Sequence, residues 1–282
     1  MEQGSTFDLY NLPKDCFWNI LYVILTSPRD ACRLSFVSTV FRSVADSDLV
    51  WERFFPPDIQ QILSSSVSPF PATYSSKKEL FLHVCNNPFL IDRGTKTFAL
   101  EKCSGKKCYM IGARELCIIW SNTPRYWTWR PLPESRFSEV AELLEVCWLE
   151  IICRMETRLL SPNTTYGAYL VFMFTERAYG FVNQLVEVSV KLAGGGNEEG
   201  EVTTKRKSVY LDPEERQREQ EGQVPKERGD GHWMEIEMGE FFINEISGGE
   251  DGVVEMILKE VKDLNWKSGL IIQGIELRPK EN

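Results

Sequence analysis

Histidine is nearly missing from this sequence: His83 and His232 are the only two in 282 residues, and they lie far apart. Eight cysteines are present, but no two are spaced as Cys-x-x-Cys. A structural zinc site is therefore not expected. Neither histidine lies in a triad-like setting: His83 is among apolar neighbours and His232 follows Gly231 at a strand entry. Also missing are a Gly-x-Gly-x-x-Gly loop, a phosphate-binding P-loop, a His-Glu-x-x-His pair and a Gly-x-Ser-x-Gly elbow. The expectation is a non-catalytic protein with no cofactor and no metal.

Long apolar runs are lacking too. The longest uncharged stretch near the N-terminus, Cys16 to Pro28, has 13 residues, against the roughly 20 that span a bilayer. Glu2, Asp8 and Asp15 precede it and no small-residue cleavage site follows, which argues against a signal peptide. Positive charge is scarce: 32 Lys and Arg against 41 Asp and Glu leave −9, unlike a protein that gathers nucleic acid by phosphate attraction. The expectations are a cytoplasmic or nuclear location, no membrane or nucleic-acid partner, and reduced thiols serving as small core residues.

What is abundant is core-forming material, with 43% hydrophobic and 12% aromatic residues. Residues 12 to 55 carry it at helical spacing. Phe17, Ile20, Leu21, Ile24 and Leu25 share one helix face; Leu34, Val37 and Phe41 form a second stripe; Val50, Trp51, Phe54 and Phe55 form a third. Ser27 is an N-cap candidate with Pro28 at the first helical position, Asp46-Ser47-Asp48 offers caps for the third helix, and Pro56-Pro57 ends it. Three short helices bury little, so their surplus apolar residues call for a partner.

Residues 58–95 read as a connector with a short helix over Lys77 to Cys85. Beyond it the period changes to two. Cys147, Leu149, Ile151, Cys153 and Met155 alternate with a more polar series, as do Val186, Val188, Val190 and Leu192. Further strand patterns fall at 107–111, 116–120, 126–130, 166–174, 233–238, 253–261 and 270–278, which predicts an antiparallel β-sandwich able to fold by itself. Residues 193–232 interrupt it with Gly194-Gly195-Gly196 and 17 charges in 40 positions, read as a mobile insertion. Its Lys205-Arg206-Lys207 is a short basic run that reads either as a nuclear-import signal or, more simply, as solvated loop charge. The turn from Trp120 to Trp129 gathers three tryptophans and Tyr126. Such rings either fill a core or stack on the C–H face of a sugar.

Two blocks resemble known families. Leu12-Pro13-Lys14-Asp15 through Ser27-Pro28-Arg29-Asp30 to Val50-Trp51 resembles a plant F-box. From about Lys96 to Pro279 the sequence resembles the plant phloem-lectin (phloem protein two, Nictaba-like) domain, carried by Tyr126-Trp127-Thr128-Trp129, Glu139-Val140-Ala141-Glu142-Leu143, Tyr169-Leu170-Val171-Phe172, Gly239-Glu240-Phe241-Phe242 and Lys267-Ser268-Gly269. The resemblance implies a multidomain chain: an all-α F-box unit over 1–57, the connector, and an all-β, jelly-roll-like sandwich over 96–282.

It further implies a substrate-recognition subunit of an SCF-type cullin-RING ubiquitin ligase. Leu12, Pro13, Ile20 and Leu21 would meet a Skp-type adaptor. The lectin-like domain would bind an N-acetylglucosamine oligomer, an N-glycan, a glycoprotein or a protein target. By motif position Trp120, Trp127 and Glu260 fall on the family's sugar-binding residues. The family's other acid falls on Val253, with Glu255 on the same strand face. The alternative is a free nucleocytoplasmic lectin with a vestigial F-box.

Overall fold

The computed structural model describes residues 23, 25–69, 74–193, 202–203, 206–212, 223–229, 231–244 and 252–280. Leu12, Pro13, Ile20 and Leu21 lie outside the described residues, as does Lys205. Among the described residues five helices come first: α1 (Pro28–Leu34), α2 (Thr39–Ala45), α3 (Asp48–Glu52), α4 (Ile59–Ser64) and α5 (Lys77–Asn86). Local chemistry sets their starts. Ser27 Oγ accepts from the Asp30 N–H with Pro28 opening α1, and Ser47 is the N-cap of α3. The stretch expected to hold one helix is split in two, because Ser38 caps α2 afresh by accepting from the Phe41 N–H.

These helices are built onto the β region. Trp51 and Phe81 are buried with ring centroids 5.2 Å apart, and Phe54 and Phe55 pack edge-on against Phe81. That cluster continues without a break into Phe98 and Tyr109 of the sheet. A polar fastening lies beside it, where Lys107 Nζ reaches Asp58 Oδ2 at 2.7 Å with the lysine side chain only 7% exposed. Gly105 sits so close to the Phe54 carbonyl that a Cβ would lie 2.6 Å from its oxygen. Residues 58–95 thus form part of the fold: Phe81 and Val84 of α5 are fully buried.

The β region consists of two antiparallel sheets. In the first, β1 (Phe89–Ile91), β2 (Lys96–Leu100), β3 (Lys107–Gly112), β15 (Ser268–Pro279), β8 (Thr164–Tyr179), β13 (Trp233–Ile243) and β12 (Lys226–Arg228) lie side by side in that order. Strands β5 (Trp127–Arg130) and β6 (Val140–Leu143) join it through β15. In the second, β10 (Val202–Thr203), β9 (Leu185–Ala193), β14 (Val253–Glu260), β7 (Leu149–Glu156) and β4 (Cys117–Ile118) follow one another, with β11 (Lys207–Tyr210) also paired to β9. Alternation decides the facing: on β14, Val254, Met256 and Leu258 are fully buried, while Val253, Glu255 and Lys259 are only partly covered.

Two expectations need correction. The charged stretch 193–232 is not merely an insertion, because β11 pairs with β9 and β12 with β13. Val209, Tyr210 and Leu211, a short apolar run among the charges, are buried in the core. Nor are the cysteines uniformly core residues. Cys153 is buried, which pushes its thiol up to about 12, but Cys32 and Cys117 are exposed.

Candidate functional site

Trp120 lies in the turn that follows β4. Its backbone is left-handed, at φ +62°, a conformation that costs a bulky L-residue roughly 1–2 kcal/mol. The turn holds it there: Trp120 O accepts from the Thr123 N–H at 2.9 Å, and Trp129 Nε1 donates to Ser121 O at 3.1 Å. Trp120 is 45% exposed, and its ring centroid lies 5.4 Å from that of Tyr126. It presents a flat apolar face to solvent.

Trp127, two residues before Trp129 on β5, is 2% exposed. Register explains the difference, since Trp127 pairs with fully buried Leu143 while the turn before it projects outward. Glu260 at the end of β14 is also interior, at 4% exposure. Its Oε2 forms an ion pair with Lys267 Nζ, whose side chain is fully buried. Its Oε1 accepts from the N–H groups of Lys262 (3.2 Å) and Asp263 (3.0 Å). Of the three residues assigned to sugar from the sequence, Trp120 alone offers a surface in this geometry.

The position expected to hold a second acid is remote from Glu260. Val253 and Glu260 occupy opposite ends of β14, seven residues or about 23 Å apart at the rise of a strand. Seven is odd, so they also face opposite sides of the sheet. Glu255 shares the outward side with Val253 and pairs with Arg154 at 2.6 Å.

The residues that the sequence reading missed are those on the rim around Lys267. Val146 and Lys267 exchange backbone hydrogen bonds of 3.0 and 2.7 Å. A Cβ on Gly180 would stand 2.1 Å from Trp266 O. Gln184, itself buried, donates from Nε2 to Asp263 Oδ2 at 2.9 Å and accepts at Oε1 from Asn265 Nδ2 at 3.1 Å. Lys267 Nζ donates to Asn265 O at 2.6 Å. Loops 180–185 and 261–267 are thereby tied together, leaving Tyr179, Trp266 and Leu264 about half exposed. The signal available in the sequence was an exposed-type loop, Val261-Lys262-Asp263-Leu264-Asn265-Trp266, that carries two large apolar residues.

Comparison with known proteins places this arrangement. The phloem protein 2 family profile matches residues 106–279. F-box protein At2g02240 of Arabidopsis thaliana is 44% identical over 281 residues, covering 99% of this chain and 82% of its own. This chain belongs to the F-box phloem protein 2 family. A second family member, F-box protein PP2-B10 of the same plant, is 44% identical over 98% of this chain and 95% of its own. The phloem protein 2 match begins after the described helices and β2 and takes in the remaining strands of both sheets. Among solved structures, a Podospora anserina beta-(1,4)-mannanase aligns over 62% of this chain and 28% of its own at 9% identity and a TM-score of 0.34, too distant to bear on fold or ligand.

Proposed function

We propose that this chain is the substrate-recognition subunit of an SCF-type cullin-RING ubiquitin ligase, working in the cytoplasm or nucleus and contributing recognition rather than chemistry. Its F-box helices dock on a Skp-type adaptor, and its β domain, a jelly-roll-like sandwich, captures a glycan-bearing or protein target. The observation that carries this reading is a set of exposed large apolar residues in the helical unit, Phe36 and Val37 in the turn between α1 and α2 and Leu49 on α3. Phe36 is 83% exposed, Leu49 70% and Val37 63%, on a unit whose other side is already packed on the β domain through Trp51 and Phe54. Large apolar residues left in water on a small helical unit favour a covering partner. By the F-box resemblance, Leu12, Pro13, Ile20 and Leu21 are assigned to the same adaptor contact.

Co-purification with a Skp-type adaptor tests the proposal. Truncating a buried interface anchor costs upwards of about 2 kcal/mol, roughly thirtyfold in Kd. Leu12→Ala/Pro13→Ala and, separately, Phe36→Ser should each lose most of the adaptor while keeping the wild-type melting temperature. Full adaptor recovery by both variants would refute the assignment.

A further inference from the structure

We infer that loops 180–185 and 261–267, with the cations beside them, form a docking surface for an acidic, apolar segment of a protein; this rests on the reading of the chain as a recognition subunit and names what its β domain captures. The loops present Val182 (66% exposed), Leu264 (49%), Trp266 (48%) and Leu185 (38%). Gln184 and the buried Glu260–Lys267 pair fix both loops from below, so the apolar residues stand on a preorganised base.

Leu264 carries the argument furthest. Its backbone is left-handed at φ +52°, which a bulky aliphatic residue adopts only under constraint, and its side chain is half in water. Neither feature favours the folded state. Strain held in place by surrounding hydrogen bonds is a mark of functional loops.

The neighbouring charge selects the partner. Leu185 also lines a cavity of about 230 Å³ with Glu187, Ser208, Lys259 and Lys262. Three cations approach the Glu187 carboxylate: Lys259 at 3.3 Å, Lys262 at 3.6 Å and Arg206 at 3.7 Å. Burial alone would raise the Glu187 carboxyl, yet Lys259, with Arg206 and Lys262, holds it below the ordinary carboxylate value. Asp263, which accepts from Gln184 Nε2, also lies on the cavity wall, and Glu260 there is neutralised by Lys267. Lys259, Lys262 and the neighbouring Arg206 against Glu187 and Asp263 therefore leave one positive charge in surplus on a chain of net charge −9. Lys262 is 80% exposed and Arg206 60%. Such loose, exposed pairs are weak, and both cations can turn to an incoming carboxylate. Val182, Leu185 and Leu264 have no flat ring and no hydrogen-bonding group to offer a sugar, whereas they and Trp266 suit the apolar side chains of a peptide.

The test is selection of a random 12-residue phage-displayed library against the full-length protein bound to its adaptor. Wild type should enrich peptides combining Asp or Glu with Leu, Phe or Trp, and Lys259→Glu/Lys262→Glu should not. By fluorescence anisotropy, an enriched peptide should bind the charge-reversed variant at least tenfold more weakly and should weaken with added salt. Leu264→Gly, which relieves the left-handed strain, should keep or raise the melting temperature yet weaken the peptide at least fivefold. Absence of enrichment, enrichment of basic peptides, unchanged binding to the variants, or displacement of the peptide by an N-acetylglucosamine oligomer would each overturn the inference. Adaptor co-purification is read on the same samples. Its loss from wild type would count against the ligase reading, and its retention alongside failed peptide selection against the docking surface alone.

Discussion

Glu260 and Lys267 form an ion pair inside the β domain, with side chains 2% and 0% exposed. Each is satisfied further: the glutamate by two backbone N–H groups, the lysine by the Asn265 carbonyl. Removing one partner of such a pair strands a buried charge and costs about 3–5 kcal/mol. Glu260→Gln and Lys267→Met should each lower stability by that order in denaturant melts. Glu260→Gln/Lys267→Met should recover part of the loss. Single variants as stable as wild type would show that the pair is open to water.

Placing an acid at Val253 should not create a sugar site. With Val253 and Glu260 at opposite ends and on opposite faces of β14, the two positions cannot hold one ring. In titration calorimetry with N-acetylglucosamine oligomers, Val253→Glu should bind no more tightly than wild type. A tenfold gain would mean that the carboxylates converge through a rearrangement of the sheet.

The helices and sheets should unfold together. Because Trp51, Phe54, Phe81, Phe98 and Tyr109 belong to one core, Trp51→Ala should cost about 3–5 kcal/mol and shift the whole transition. A fragment from Lys96 to Asn282, which the strand pattern alone would judge independent, loses the cover over Phe98 and the β1 edge. It should melt well below the full chain. An unchanged melting temperature would show the β domain to be self-sufficient.

Within 193–232 the expected sensitivity is concentrated at 207–211. Val209 pairs with Val186, and Val209 and Leu211 are fully buried. Leu211→Ala should cost about 2–5 kcal/mol, whereas Arg206→Ala, whose side chain is 60% exposed, should change stability by less than about 0.5 kcal/mol. Equal effects at the two positions would contradict the placement of β11.

The sequence by itself determined the elements whose signals are local. Ser27 and Pro28 open α1 through groups within one turn, and the alternation across 149–156 and 185–192 reproduces β7 and β9. Long strands repeat their pattern often enough to be read alone. Family membership was legible for a related reason: the Tyr126-Trp127-Thr128-Trp129 and Gly239-Glu240-Phe241-Phe242 blocks are specific strings. What only the tertiary structure decided depends on partners distant in the chain. Strands β6 and β11 are four residues each, too short for a period to stand out, and exist because Glu142 meets Ile271 and Val209 meets Val186. Alternation assigns Trp127 and Glu260 to a side of their strands but cannot tell whether that side is roofed. Leu143 and Lys267, arriving from elsewhere in the fold, bury them, while Leu264 and Trp266 are left in solvent because the hydrogen bonds of Gln184 and Lys267 hold their loop outward.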